Sequence, residues 1–100
     1  MSDEVRVTVR HVAEDPEAIE SAYHQVSKEL AGVAGMLGNE LWRGLGDDGV
    51  FVVVSRWRDV AAFRAWEAGA AHRDSTSPLR PFRDHDGGRP FEIFHVTAAY

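Results

Sequence analysis

The sequence predicts an α+β domain in the order βαββαβ, an antiparallel four-stranded sheet with both helices on one face. Three observations predict it. Val5, Val7 and Val9 alternate with Arg6, Thr8 and Arg10, the period-two pattern of a half-buried strand. Ile19, Ala22, Tyr23, Val26 and Leu30 recur at helical spacing. Val50–Trp57 is an apolar, β-branched run that gives way at Val60 to a second helical pattern.

The first strand spans Glu4–Ala13, with His11 ending its apolar side. Asp15-Pro16-Glu17 opens the first helix: Asp caps, Pro loses nothing by lacking an N–H at the first helical position, and Glu suits the positive end. Gly32 suits its C-terminal end. Met36–Leu45 forms the second strand, and Leu45-Gly46-Asp47-Asp48-Gly49-Val50 turns the chain into the third. Asp59 caps a helix with Val60, Phe63, Glu67 and Ala71 on one side and Trp66 beside Phe63, and Gly69 suits a break that would set Ala70–Arg73 apart as a short turn. Ser75–Pro90 has no periodicity and contains three prolines and two glycines, which predicts a long loop, taken with Asp74 as a cover over a pocket mouth. Phe91–Tyr100 is the last strand. A hairpin between strands two and three, with two right-handed crossovers, gives the ferredoxin-like arrangement over a single domain, residues 1–100.

Charged residues at 27% and hydrophobic ones at 44% describe an ordinary globular chain. There is no cysteine, which excludes disulfides, thiolate nucleophiles and Cys-based metal sites. A net charge of −5 argues against nucleic acid as a partner. The apolar run Val50–Val54 is far too short to span a membrane and the N-terminus lacks a signal-like apolar core, so the expected location is the cytoplasm. The third strand has Val50, Val52 and Val54 on one side and Phe51, Val53 and Trp57 on the other, and the fourth has Phe91 and Ile93 opposite Phe94 and Val96. Two helices cover one face, so the other predicts a homodimer closed through the sheet.

The unit made of the third strand, Trp57, a two-residue turn, Ala62-Phe63, Trp66 and Ala71-His72-Arg73 resembles the second half of the antibiotic biosynthesis monooxygenase domain, a dimeric α/β barrel of ferredoxin-like topology. The resemblance implies a pocket between helices and sheet in each protomer. It also implies a monooxygenase or related cyclase that needs no cofactor and oxidises an aromatic, polyketide-like substrate in secondary metabolism. Quinone-forming members carry an Asn four residues before the strand-ending Trp and an aromatic hydroxyl six residues after it. This chain has Val53 and Phe63 there and keeps Trp57.

Candidate catalytic residues are His72, Trp66 and His95. A histidine titrates near neutrality and suits a base, and an indole N–H can donate to a bound carbonyl or dioxygen species. If the helix runs straight through Gly69, His72 faces away from the Phe63/Trp66 stripe; if Gly69 breaks it, its direction is free, and the spacing does not decide. His11 and His95 lie on otherwise apolar faces and read first as hydrogen-bonded core or interface residues. His24 reads as exposed on its helix and His85 as a turn tip between two aspartates. Candidate substrate-binding residues are Trp57, Phe63, Arg73 and Arg83, the arginines placed to steer an anionic or phenolate ligand. No phosphate loop, nucleotide fingerprint or nucleophile elbow is present, so no cofactor and no metal is expected. One alternative is haem with His72 as axial ligand, as in the haem-degrading branch, although the first-strand Asn of that branch is replaced by Val5, Val7 and Val9. The other is a non-catalytic dimer that binds a hydrophobic metabolite.

Overall fold

A computed structural model describes residues 3–69, 75–84 and 91–100 of the chain. Strand β1 (Val5–Val12), helix α1 (Pro16–Leu30), strands β2 (Met36–Arg43) and β3 (Val50–Trp57), helix α2 (Val60–Ala68) and strand β4 (Glu92–His95) follow the predicted βαββαβ order. The sheet is antiparallel with the order β2-β3-β1-β4, so the long strands β1 and β3 lie at its centre.

Both helices begin as expected. The Asp15 carboxylate accepts from the Glu17 amide at 3.0 Å and Asp59 from the Ala62 amide at 2.8 Å, each satisfying an amide that the first turn leaves without a partner. α2 ends at Gly69, whose extended backbone stops the helix where the sequence places the break. In the hairpin between β2 and β3, Gly49 at φ +81° supplies the left-handed residue, and Ala13 bonds back to its carbonyl at 2.9 Å.

Three stretches depart from expectation. Ser77–Phe82, placed in a structureless loop, forms a 3₁₀-helix on α1, because Leu79 between Pro78 and Pro81 buries its side chain in the α1 core. β4 spans four residues, not ten. β1 offers pairing from Val5 to Thr8 alone, and the bond from the Val96 amide to the Glu4 carbonyl, at 3.0 Å, is the last before β1 runs out. β2 ends at Arg43, where the hairpin turn begins. The predicted turn Ala70–Arg73 and residues 85–90 of the predicted loop lie outside the described residues.

The inner face of the sheet packs against the helices in two adjoining clusters. One joins Ile19, Ala22, Val26 and Leu30 of α1 to Phe51 and Leu79, and the other joins Ala62 and Phe63 of α2 to Val5, Val7 and Trp57. The outer face is less greasy than the strand pattern implies. Val52 and Val54 share it with Arg6, Thr8, Arg10, Glu40 and Arg56, because β1 and β2 present their polar positions there. Glu4 pairs with Arg6 and Arg56 at one end, and although some desolvation opposes its charge, the two guanidiniums hold its carboxyl below the usual range. Trp42 and Phe94, on the same side, remain about half exposed, at 52% and 49%.

Candidate functional site

The two core clusters do not close completely. Between the inner face of the sheet, α1, α2 and the 3₁₀-helix lies a cavity of about 90 Å³, in the measure in which a single water needs roughly 10–15 Å³. It is partly enclosed by the described residues. Its floor is Val7 and Val9 of β1 with Val53 of β3, side chains that the pleat points inward. Its aromatic wall is Phe63 and Trp66 of α2 with Phe91.

That wall is one packed unit. The Phe63 ring meets Trp57 and Phe91 edge-on, both at 5.5 Å, and lies 6.2 Å from Trp66. These separations lie in the range where aromatic pairs add to the burial of their area. Trp66 follows Phe63 by three positions on one face of α2, so the two rings fall side by side. Trp57 stands behind them at 5.3 Å from Trp66, fully buried and not lining the cavity. Its indole N–H donates to the Ser55 hydroxyl at 2.8 Å, and Ser55 does line the cavity. A hydroxyl that accepts from the indole keeps its own proton for another acceptor.

Polar groups converge on the apolar lining at two places. At one, Ser55 sits beside Asn39 of β2, its partner across the strand pair. The Ser27 hydroxyl of α1 donates to Asn39 Oδ1 at 2.9 Å, which fixes the amide and leaves its N–H₂ for a ligand. At the other, His11 and Arg83 form a bridge between β1 and the end of the 3₁₀-helix. The His11 ring is 2% exposed, and its Nδ1 lies 2.9 Å from the Val9 carbonyl. Burial pushes its pKa below the ordinary histidine value of 6.5, the Arg83 charge adds to this, and the bond to Val9 opposes it. Glu67, paired with Arg64 at 3.1 Å, stands at the rim.

The residues singled out from sequence distribute unevenly over this geometry. Trp66, Phe63 and Arg83 line the cavity. Trp57 supports the wall from behind. His95 is exposed near the end of β4, opposite Val5, and is not among the lining residues. His72, with the haem alternative that depends on it, and Arg73 lie outside the described residues.

Asn39, Ser27 and Ser55 went unnoticed in the sequence. Strict alternation from Met36 puts Asn39 on the outer face, but Met36 pairs with Trp57 and Gly38 with Arg56, so Leu37 is a bulge and the parity changes. The lining asparagine therefore comes from β2, whereas β3 brings Val53 to the cavity. Ser55 was legible as a polar residue at an inward position of an apolar strand.

Comparison with known proteins agrees with this architecture. The structure matches that of SnoaB, a cofactor-independent oxygenase from Streptomyces nogalater, with a TM-score of 0.78, 23% identity, and coverage of 98% of this chain and 97% of that one. An asparagine-to-alanine variant of the same oxygenase gives 0.79 at the same identity and coverage. A protein from Caulobacter crescentus, described as a putative antibiotic biosynthesis monooxygenase, matches with a TM-score of 0.69 at 14% identity, over 99% of this chain and 92% of that one. At these identities the likeness establishes the fold. In sequence, the 42.8 kDa protein in the whiE locus of Streptomyces coelicolor is 28% identical over 81 residues, 69% of this chain, which spans 20% of that protein's length. No helix among the described residues is long and apolar enough to cross a membrane. The family model for antibiotic biosynthesis monooxygenases matches residues 4–76, and the chain belongs to that family.

Proposed function

We propose that the protein is a cofactor-independent monooxygenase that oxidises an aromatic, polyketide-like substrate, acting as a homodimer in the cytoplasm and in secondary metabolism. One observation carries the proposal: the cavity joins a flat aromatic wall, Phe63 and Trp66, to a few polar groups fixed from the sheet, Asn39 and Ser55. A planar phenolic guest suits both. The fold shared with an oxygenase described as cofactor-independent and the family membership support the reading.

The chemistry asks little of the protein. An electron-rich anthrone becomes a strong one-electron donor to dioxygen once a proton is removed, so a base, a dry cavity and a donor for the developing oxyanion suffice. In sum, an anthrone and one O₂ give a quinone and one water. The substrate loses two C–H hydrogens, one oxygen atom enters it, and the other leaves with those hydrogens. The Asn39 amide and the Ser55 hydroxyl are placed to donate to the substrate oxygens, and Arg83 brings a positive charge to the same cavity.

The outer sheet face supports the dimer. Trp42 and Phe94 are too exposed there for rings of their size, and pairing two such faces would bury them together. Light scattering at micromolar concentration should give twice the chain mass, and Trp42→Glu combined with Phe94→Glu should give the single mass.

The activity test is oxygen uptake by EDTA-treated protein with 1,8-dihydroxyanthrone as probe. The expected result is one O₂ consumed per anthrone, with one ¹⁸O atom in the product from ¹⁸O₂. Uptake no faster than autoxidation of the probe alone would refute an oxygenase and leave a binding protein.

A further inference from the structure

Resting on that reading, we infer that His11, which lines the cavity, is the catalytic base: its Nε2 takes the substrate proton that initiates reaction with dioxygen. His11 is a buried, hydrogen-bonded histidine, and that same hydrogen bond equips it for the role.

The bond to Val9 sets the ring's tautomer. A carbonyl oxygen only accepts, so at 2.9 Å from the Val9 carbonyl, Nδ1 must carry the proton. In the neutral ring Nε2 is then a lone-pair acceptor. The residue lines the cavity, so that lone pair is the ring's remaining acceptor on the cavity side of the bond to Val9. The bond to the residue's own strand also fixes the ring plane against Val9, which itself forms part of the floor. A positioned imidazole with a set tautomer, next to an apolar cavity, is the arrangement that general-base catalysis requires.

The surroundings keep the ring neutral. Burial and the Arg83 guanidinium beside it both disfavour the imidazolium. Among the described residues, the other titratable groups that line the same cavity are Tyr23 of α1 and Glu67 of α2, with Arg43 across the sheet and Asp84 next to Arg83. Glu67 is paired with Arg64, Asp84 with Arg10 at 2.8 Å, and the Arg43 guanidinium lies over the Phe51 ring. The bond to the Val9 carbonyl works against this lowering, and the net direction is still downward because burial is the largest cause.

The step balances with dioxygen as oxidant. Nε2 forms a bond to the proton of the substrate's acidic C–H, and the electron pair of that bond stays on the substrate as a delocalised enolate. The enolate passes an electron to dioxygen and the two radicals join in a C–O bond, giving a peroxide anion that takes the proton back from Nε2. The base then removes the second hydrogen from the same carbon, the O–O bond breaks as the carbonyl forms, and the departing hydroxide leaves as water with that proton. His11 ends unchanged. Arg83 faces the enolate oxygen and the peroxide, where negative charge gathers.

The test compares wild type with His11→Asn, whose side-chain N–H₂ can keep the bond to the Val9 carbonyl but has no basic nitrogen. With 1,8-dihydroxyanthrone, kcat should fall roughly 10²–10⁴-fold. The acid limb of the wild-type pH–rate profile should vanish, while quenching of tryptophan fluorescence by 1,8-dihydroxyanthraquinone stays within a few-fold and shows an intact site. A variant within threefold of wild type, or one that keeps the acid limb, overturns the assignment and leaves the oxygenase reading standing. If wild type itself consumes no oxygen, that reading falls, and His11 is judged by its ring ¹⁵N signals as the anthraquinone is added. A shifted Nε2 signal with Nδ1 still protonated supports His11 as the group that meets the ligand. An unmoved signal overturns that as well.

Discussion

Replacing Phe63 with alanine tests whether the aromatic wall is the packed unit described. The ring is 3% exposed and meets Trp57, Phe91 and Trp66. Truncating a buried Phe costs about 3–5 kcal/mol in transfer and cavity energy together. Here one side of the ring already borders a cavity, which moves the expectation toward the lower end, and three lost ring pairs at about 0.5–1.5 kcal/mol each move it back. We expect a loss of about 4 kcal/mol, against about 5–15 kcal/mol for a whole domain of this size. At ~4–8 °C per kcal/mol, the melting temperature should fall by roughly 15–30 °C. Urea titration of both proteins at one concentration measures the change and guards against mass-action effects in a dimer. Leu45→Ala at the hairpin tip, where the side chain is 95% exposed, is the control and should move stability by no more than about 0.5 kcal/mol. A loss below about 1 kcal/mol for Phe63→Ala would refute the packed wall, and with it the shape argued for the guest.

Other consequences are as direct. Gly35 has φ +82°, and a Cβ there would collide with Ala62 of α2, so Gly35→Ala should cost about 2–4 kcal/mol in the same titration. Ser27→Ala should release the Asn39 amide, at about 1 kcal/mol, and lower kcat/KM for the anthrone about fivefold, while Ser27→Thr keeps the hydroxyl and most of the rate. The depressed pKa of His11 predicts a pH dependence of stability. Above pH 6.5 the ring is neutral in both folded and unfolded chains and contributes no slope. Below it the unfolded chain takes up a proton that the folded one resists, so stability falls with pH until the folded value is reached. In His11→Asn that slope should be missing, and the two urea curves should run parallel above pH 7.

The helix caps Asp15 and Asp59 and the stop at Gly69 were legible because a capping carboxylate and a glycine act within one turn of their own position. Leu79 was not, since one apolar side chain between two prolines carries no periodicity, and its burial depends on α1, distant in sequence. The site divides the same way. Phe63 and Trp66 followed from helical spacing, whereas Asn39 was hidden by a bulge that pairing alone reveals. His11 was read correctly as inward-facing and hydrogen-bonded, but its exposure to a cavity depends on how closely α1, α2 and the 3₁₀-helix approach the sheet.

If an aromatic guest enters between helices and sheet, β1 and β3 provide an internal ruler for it. Val9 and Val53 point into the cavity, while Val52 and Val54, their neighbours in chain and pairing, point to the outer face. Methyl-resolved NMR of valine-labelled protein during titration with 1,8-dihydroxyanthraquinone reads both sides at once. A guest between helices and sheet should move the Val9 and Val53 methyls by ring-current shifts and leave those of Val52 and Val54 in place; shifts confined to Val52 and Val54, or none at saturating probe, would refute it.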